Sequence, residues 1–269
     1  MMYLADYHVH SDCSPDSVES MVALAQAAID HGLQELCITD HVDTRYWEVW
    51  TPREHDWSIA VEEFRLVQEA LGDRIRLRFG AELGEVTRDF ARMDRFLEAA
   101  PLLDFVIGSM HTTAGRHGWQ DLYYLDNPDP DYNRDLIGGY LEEVKKLVDW
   151  GRFHVLGHLT LPLRYINTKV GLQMTFEGFE EQVDAIFRTL IENGQGIEIN
   201  TNRGSEPLPG ARELRRYREL GGEIITLGSD AHSARHVGCA IREGQQLLKE
   251  CGFEYFCTYT GGKPEFRKL

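Results

Sequence analysis

This chain of 269 residues carries little positive charge. Its 28 lysines and arginines are outnumbered by 44 aspartates and glutamates, which gives a formal net charge of −16 at pH 7. Nucleic acids and anionic membranes attract proteins through basic patches, because their phosphates act at long range. The charge balance therefore argues against a nucleic-acid partner and against a membrane surface. Any phosphate group that the protein binds must be held locally.

Long apolar runs and paired cysteines are missing as well. No stretch approaches the roughly 20 apolar residues that span a bilayer, and residues 1–4 lack the charged and apolar regions of a signal peptide. The five cysteines include no Cys-x-x-Cys pair, which indicates neither a disulfide framework nor a thiolate zinc site. Because free thiols suit a reducing compartment, we expect a soluble, cytoplasmic protein.

Short apolar runs alternate with amphipathic stretches along the whole chain. The predicted strands are residues 3–7, 36–39, 75–81, 105–110, 153–157, 196–200, 224–229 and 255–259. The predicted helices are residues 17–29, 57–71, 87–99, 132–150, 175–193, 211–220 and 237–251, with Ser17, Asp56 and Thr175 as N-caps, and residues 161–164 are predicted to be a loop. Strands that alternate with helices indicate a parallel sheet. No linker is visible, so we expect a single domain over residues 1–269.

Residue types that bind metals follow nearly every predicted strand. His8 and His10 share one face, because side chains two residues apart on a strand point the same way. Alone, such a pair is more often a polar strand end than a metal site. Asp16 follows in a turn, and the later strand ends add His41, Glu82, His111, His158, Asp230 and His232. His154 lies inside a predicted strand and is interpreted as structural.

A closed barrel is the arrangement that brings these strand ends together. In an open doubly wound sheet only the crevice at the switch point would be functional. The strands of a closed parallel barrel deliver all their carboxyl ends to one face. The pattern therefore predicts an α/β barrel with a multinuclear metal site on that face.

The series of motifs resembles the polymerase-and-histidinol-phosphatase (PHP) family over the whole chain. The shared motifs are His8-Val9-His10-Ser11 with Asp16 after it, Thr39-Asp40-His41, Gly80-Ala81-Glu82, Gly108-Ser109-Met110-His111, Gly157-His158 and Ser229-Asp230-Ala231-His232. The resemblance implies a distorted (β/α)7 barrel of the TIM-barrel type and a metal-dependent phosphoesterase that binds three metal ions. Chain length and the residues around Arg164 and Arg203 are most similar to the histidinol-phosphate phosphatases of histidine biosynthesis.

The resemblance also implies a ligand set for each of three divalent ions. These sets are His8, His10, Glu82 and Asp230 for the first ion, Glu82, His111 and His158 for the second, and Asp16, His41 and His232 for the third. Imidazole and carboxylate ligands without thiolates fit zinc, iron or manganese. Asp40 is interpreted as a supporting carboxylate outside the ligand set.

Such a site would favour phosphate. Three divalent ions bring six positive charges against three negative ones from Asp16, Glu82 and Asp230, which leaves a net charge of plus three. The metals would activate a water for attack on phosphorus, and Asp230 or His232 would assist proton transfer to the leaving group.

Two arginines are candidate phosphate ligands. Arg164 and Arg203 follow strand ends, where their planar guanidinium groups could grip phosphate oxygens. The alternative for each is a solvated loop arginine.

The leading hypothesis is a phosphomonoesterase acting on L-histidinol phosphate. The alternative is another small substrate such as a nucleotide or sugar phosphate, because Thr160 and the residues after Asn200 depart from the family's usual pattern. A 3′-5′ exonuclease is disfavoured by the lack of a basic track for DNA. A non-catalytic metal-binding module would be expected to have lost ligands, and all nine are present.

Two long loops are expected near the site. Residues 43–56, with Tyr46, Trp47 and Trp50, either cover the site or pack on the barrel rim. Residues 112–131, with Trp119, form a loop over the same end of the barrel. We expect acidic groups in these loops to select a substrate that carries an amine.

Overall fold

The computed structural model describes residues 2–44 and 55–269 and has a parallel β-barrel at its centre. The barrel strands are β1 (Ala5–Asp6), β2 (Glu35–Ile38), β3 (His41–Asp43), β4 (Arg76–Gly84), β5 (Phe105–Ser109), β6 (Val155–Leu156), β7 (Gly196–Asn200) and β8 (Ile225–Gly228). The helices are α1 (Met21–Asp30), α2 (Trp57–Leu71), α3 (Phe90–Ala99), α4 (Pro130–Trp150), α5 (Leu161–Tyr165), α6 (Glu180–Glu192), α7 (Ala211–Glu219) and α8 (Ile241–Glu250). The predicted aromatic segment with Tyr46, Trp47 and Trp50 lies outside the described residues.

Seven strand positions close into a ring. The order is β1-β2-β4-β5-β6-β7-β8, and β3 continues β2 along the far part of β4. The ring closes between β1 and β8, where the Tyr7 backbone N–H donates to Leu227 O at 2.9 Å and Val9 pairs in parallel with Ala231. The prediction of a (β/α)7 barrel is confirmed. All carboxyl ends of the strands consequently face one mouth.

The strands are buried on both faces, as their apolar sequences predict. Each residue of β2, β5, β7 and β8 is buried, because helices cover the outside and side chains fill the interior. Glu35 and Glu198 are the charged residues in these four strands, and both are fully enclosed. A buried carboxylate requires hydrogen-bond donors around it, so each marks a specific polar network.

A C-terminal hairpin, β9 (Tyr255–Thr260) and β10 (Lys263–Lys268), lies at the opposite end of the barrel from the mouth. The Tyr7 hydroxyl donates to Glu35 Oε1 at 2.6 Å, and the Tyr259 N–H donates to the same hydroxyl at 2.8 Å. Strand β10 was not predicted. The turn at Gly261 and Gly262, both with positive φ, is a typical hairpin signal in the sequence.

Helix α2 begins and ends as predicted, whereas two other N-caps were wrong. Asp56 accepts from the Ser58 N–H at 2.9 Å and caps α2. Helix α1 begins at Met21 with Ser20 as its cap, because the Ser17 hydroxyl donates instead to His10 O at 2.9 Å. Helix α6 begins at Glu180 and not after Thr175. Gly178, at φ +83°, interrupts the helical backbone between them.

Residues 161–164 are helical, so the predicted loop was wrong. They form α5, which continues into a π-helical turn over Ile166–Val170. Pro162 lies in the first turn of this helix, where proline is tolerated because its missing N–H is not needed. Arg164 is consequently held on a short helix.

Two of the predicted absences can be compared with the structure. Within residues 2–44 and 55–269, no helix combines the length and the apolar character needed to cross a bilayer. All five cysteines are described and none forms a disulfide.

Candidate metal centre

The barrel brings all nine predicted ligands to its mouth. His8 and His10 follow β1, His41 begins β3, Glu82 lies within β4, and the remaining histidines and Asp230 follow β5, β6 and β8. The imidazole rings are close together: the centroids are 4.4 Å apart for His10 and His41, 4.3 Å for His10 and His232, and 5.0 Å for His111 and His158. Six imidazoles and three carboxylates therefore share one largely buried space.

Glu82 lies at the centre of this cluster and is buried. Five imidazole nitrogens surround its two oxygens: Nε2 of His8 at 3.1 Å, Nε2 of His10 at 3.3 Å and Nδ1 of His41 at 3.3 Å from Oε2, and Nε2 of His158 at 2.9 Å and Nε2 of His111 at 3.3 Å from Oε1. Each carboxylate oxygen thus faces a different set of histidines. This is the geometry that a bridging carboxylate requires.

Asp16 and Asp230 complete the outer side of the cluster. Asp16 Oδ2 lies 2.9 Å from His232 Nε2 and 3.6 Å from His41 Nε2. Asp230 Oδ1 lies 3.6 Å from His10 Nε2 and 3.4 Å from His232 Nδ1. The turn before α1 and the end of β8 therefore meet across the mouth.

Three groups of potential ligand atoms each fit within 4.8 Å. They are His10, Asp16, His41 and His232; His8, His10 and Glu82; and His41, Glu82 and His111. These groups overlap with the three predicted sets but divide the histidines differently, since His10 and His41 each belong to two groups. His158 lies outside them, although its Nε2 is 2.9 Å from Glu82 Oε1.

The electrostatics keep the carboxylates of this donor set ionised. Burial alone would raise the pKa of Glu82, but the imidazoles of His8, His41 and His111 outweigh it and hold that pKa well below its usual range. Burial, together with the positive charge of protonated His232 or His41, holds the pKa of His10 well below its usual range. Burial would lower the pKa of His8, His41 and His111, but the carboxylates beside them outweigh it and raise that pKa. Because imidazole coordinates a metal in its neutral form, metal binding would release protons from these histidines.

One atom tests directly whether the site suits a metal. Nε2 of His10 is buried and makes no hydrogen bond within the described part of the chain. It nevertheless points at two carboxylate oxygens, those of Glu82 at 3.3 Å and Asp230 at 3.6 Å. A buried polar atom without a partner is costly, and a cation between these groups would satisfy it. The residues present fit a divalent metal with nitrogen and oxygen ligands.

Sequence reasoning missed a carboxylate behind the ligands. Glu198, in the middle of β7, lies with Oε1 at 2.7 Å from His8 Nδ1 and accepts from the His158 N–H through Oε2 at 3.0 Å. The signal was a single acidic residue within the apolar strand Gly196–Asn200. A charge in such a run has to be paired inside the barrel.

Asp40 and Glu85 also lie behind the candidate ligands. Asp40 accepts from the Ser11 N–H at 2.6 Å and from the Ser14 hydroxyl at 3.0 Å, and Ser14 Oγ lies 3.2 Å from His10 Nδ1. Glu85, fully buried, accepts from the His111 N–H at 2.7 Å. Asp40 therefore contacts the ligands through serine, as its interpretation as a supporting carboxylate requires.

A pocket of about 440 Å³ opens onto the cluster. Both predicted phosphate-binding arginines line it: Arg203 donates through Nε to Asp230 O at 2.9 Å, and Arg164 stacks on Tyr165 at 5.1 Å from the ring centroid. The wall beyond them comes from residues 112–131 and includes Asp121, Tyr123 and Tyr124. The pocket thus has two guanidinium groups near the cluster, with a carboxylate and aromatic rings elsewhere on its wall.

Comparison with known proteins agrees with this geometry. A histidinol-phosphatase from Lactococcus lactis is 29% identical over 271 residues, which cover 98% of this chain and 97% of that protein. A probable histidinol-phosphatase from Thermotoga maritima is 30% identical over 258 residues and covers 95% of both chains.

A solved structure extends the similarity to three dimensions. The histidinol phosphate phosphatase of Lactococcus lactis, in complex with zinc, L-histidinol and phosphate, matches with a TM-score of 0.83 at 27% identity, over 98% of this chain and 100% of that one. The PHP domain model matches residues 6–202. The chain therefore belongs to the PHP domain family.

Proposed function

We propose that this chain is a metal-dependent phosphomonoesterase that hydrolyses L-histidinol phosphate to L-histidinol and phosphate, working as a single PHP domain. The proposal rests on one observation above all: nine candidate metal ligands cluster at the barrel mouth, and seven of them line the same pocket as two arginines. The similarity to an enzyme whose structure holds zinc, L-histidinol and phosphate supports it.

Three divalent ions, of zinc, iron or manganese, would be held by the nine residues. The proposed ligands are His8, His10, Asp16, His41, Glu82, His111, His158, Asp230 and His232. When bound, such ions act as Lewis acids that lower the pKa of water and neutralise the charge of the phosphoryl group. Glu82, with imidazoles at both oxygens, would be the ligand shared between two of the ions.

The arginines hold the phosphate. The Nε contact with Asp230 O fixes the guanidinium plane of Arg203, and its Nη2 lies 3.4 Å from His232 Nδ1. That anchoring limits the rotamer entropy that Arg203 would lose on binding a phosphate. Arg164, on α5, lines the same pocket with its guanidinium against Tyr165. Together they provide planar donors for the phosphate oxygens.

Asp230 and His232 move the protons. Asp230 Oδ1 and His232 Nδ1 are 3.4 Å apart at the pocket surface, and His232 Nε2 is 2.9 Å from Asp16 Oδ2. Asp230 orients the attacking water and accepts its proton, and Asp230 or His232 returns a proton to the leaving oxygen of the alcohol. General acid–base assistance of this kind contributes typically 10²–10⁴-fold to a rate.

The rest of the pocket suits a cationic tail. Asp121 offers a carboxylate and the side chains of Tyr123, Tyr124 and Tyr165 offer ring faces. An ammonium group is attracted by a carboxylate and by aromatic faces. L-histidinol carries an amine and an imidazole, whereas a sugar phosphate has no cationic group.

A substrate panel tests the proposal. Purified protein loaded with zinc, manganese or iron would be assayed against L-histidinol phosphate, nucleoside monophosphates and sugar phosphates. We expect kcat/KM to be highest for L-histidinol phosphate, and elemental analysis to give about three ions per chain. Preferred hydrolysis of a nucleotide or sugar phosphate would support the alternative substrate class, and no more than one ion per chain under metal-replete conditions would reject the trinuclear site.

A further inference from the structure

Glu198 is a buried carboxylate with two contacts to the candidate metal centre and none to the pocket. It is 1% exposed and does not line the 440 Å³ cavity. Its Oε1 lies 2.7 Å from His8 Nδ1, and its Oε2 accepts from the His158 N–H at 3.0 Å. His8 and His158 approach opposite oxygens of Glu82, at 3.1 Å and 2.9 Å. Glu198 therefore contacts one histidine on each side of the proposed bridge.

The barrel leaves room for this carboxylate at Gly228, and a second glycine, Gly157, is crowded by other side chains nearby. A Cβ atom at Gly228, in β8, would lie 2.4 Å from Glu198 Oε1 and 2.2 Å from the His8 Cβ. A Cβ at Gly157 would lie 3.6 Å from Glu198 Oε2 and only 2.6 Å from Ser109 Oγ. Neither glycine has a positive φ. Space around Glu198 and its neighbours, and not backbone freedom, thus accounts for a small residue on both adjoining strands.

The contact with His8 determines which ring nitrogen faces the centre. A carboxylate at 2.7 Å accepts from a protonated Nδ1, which leaves the lone pair of Nε2 directed at Glu82 and Asp230. Comparable contacts elsewhere are longer: 3.6 Å between His111 Nδ1 and Glu85, and 3.9 Å between His41 Nδ1 and Asp43. A carboxylate that accepts a hydrogen bond from a ligating imidazole in this way fixes the orientation of the ring and raises its basicity.

We propose that Glu198 is a positioning residue that couples the two sides of the metal centre, by fixing the ring of His8 through one oxygen and the backbone of His158 through the other. This rests on the proposed metal binding, but not on the identity of the substrate. Its effect is on metal affinity. It touches neither the substrate nor the reacting atoms.

The test replaces Glu198 with glutamine and with aspartate. Glutamine keeps the volume but offers one acceptor and one donor, so either His8 or the His158 N–H loses its partner. We expect Glu198→Gln to weaken zinc binding, measured by competition with a chromogenic chelator, by 10- to 100-fold. Glu198→Asp keeps both acceptors on a shorter side chain and should recover part of that loss. At saturating zinc, KM for L-histidinol phosphate should stay within about twofold of that of the unmodified enzyme.

Glu35→Gln is the matched control. Glu35 is equally buried in a barrel strand, but it faces Tyr3, Tyr7 and Arg78 at the other end. Glu35→Gln should lower the thermal midpoint and leave the affinity for zinc unchanged. Glu198→Gln should bind zinc more weakly than Glu35→Gln even where the two variants have similar thermal midpoints. Unchanged zinc affinity in Glu198→Gln, or equal losses in both variants, would overturn the inference. If the unmodified protein binds zinc but does not hydrolyse L-histidinol phosphate, the proposed substrate is rejected. The comparison of zinc affinities would still test the role of Glu198.

Discussion

At the scale of single residues, Glu82 has the most contacts with other candidate ligands. Its two oxygens lie within 3.3 Å of nitrogens from five histidines. Glu82→Gln replaces one oxygen by a donor that cannot coordinate a cation, so we expect loss of at least one bound ion and a fall in kcat/KM of at least 10³-fold. Elemental analysis after metal loading and steady-state kinetics measure both. Normal metal content together with a normal rate would show that Glu82 does not bridge.

The arginines and Asp121 should separate recognition of the phosphate from recognition of the tail. Losing a charge-assisted fork costs about 2–3 kcal/mol in transition-state binding, so Arg203→Ala and Arg164→Ala should each lower kcat/KM by roughly 30- to 150-fold. The loss should be equal for L-histidinol phosphate and for a phosphate ester with an uncharged tail, because the guanidinium contacts the phosphate that both substrates share. Asp121→Asn should lower kcat/KM for L-histidinol phosphate alone. If an arginine variant lowers kcat/KM for one of these substrates only, that arginine contacts the organic part of the substrate and not the phosphate.

His154 links stability to pH. Burial lowers its pKa to about 4, and its Nδ1 accepts from the Val106 N–H at 2.8 Å, which requires the neutral ring. The unfolded chain takes up this proton near pH 6.5, so the stability that the neutral ring contributes is present above pH 6.5 and is lost as the pH falls towards 4. His154→Asn keeps an acceptor without the titration.

We therefore expect the free energy of unfolding of the unmodified protein to fall about 1–2 kcal/mol further than that of His154→Asn between pH 7.5 and pH 5. Urea denaturation of both proteins at each pH measures this difference. Because the other titrating groups are common to both, their contributions cancel. Parallel pH profiles for the two proteins would contradict the prediction.

At the scale of elements, the sequence predicted the barrel strands better than the segments at their edges. Strand β7 and helix α2 match their predicted bounds because apolar pattern and cap agree there. Helix α1 was predicted too early, since Ser17 and Ser20 look alike in sequence and only the fold shows that the Ser17 hydroxyl is used by the His10 carbonyl. Glu198 was missed because its contacts also depend on the fold: its partners, His8 after β1 and His158 after β6, lie far away in the chain.

The hairpin turn gives a prediction at this scale. Gly261 has φ +55°, and a Cβ atom there would meet nothing within 4 Å, so replacement by alanine introduces backbone strain without a clash. We expect Gly261→Ala to lower the free energy of unfolding by about 1 kcal/mol. Gly261→Asn should cost less, because asparagine tolerates the left-handed region. Both should keep full activity, since the hairpin lies away from the mouth, and urea denaturation with a parallel assay tests this.

At the scale of the whole molecule, the charge estimate from sequence has to be revised. That estimate set three divalent ions against three carboxylates and gave plus three. The structure adds Glu85 and Glu198, which contact ligand residues from behind. Counting both as carboxylates lowers the net charge of the centre to plus one, and Arg164 and Arg203 restore plus three at the pocket. We therefore expect the arginines to contribute a larger share of phosphate binding than the ligand count alone indicates.

Metal removal should destabilise the whole fold. Six of the seven strand positions supply candidate ligands, so without cations the buried carboxylates and imidazoles lie against one another with no ion between them. A single ion that binds only the folded chain, at about 100 times its dissociation constant, adds about 2.7 kcal/mol of stability, so this figure is a lower bound for three ions. In a chain of this size that corresponds to a thermal midpoint lower by roughly 5–10 °C after chelation. Scanning calorimetry of metal-loaded and chelated protein measures this shift.

Two controls show whether such a shift comes from this centre. Zinc added back should restore the midpoint, whereas magnesium should not, because imidazole-rich sites favour zinc over magnesium. Glu82→Gln should show a smaller shift on chelation than the unmodified protein, since it removes the carboxylate that faces both sets of histidines. A midpoint that is unchanged by chelation, or that shifts equally in Glu82→Gln, would mean that the ions stabilising the protein bind elsewhere, and the histidine cluster would lose its proposed role in the fold.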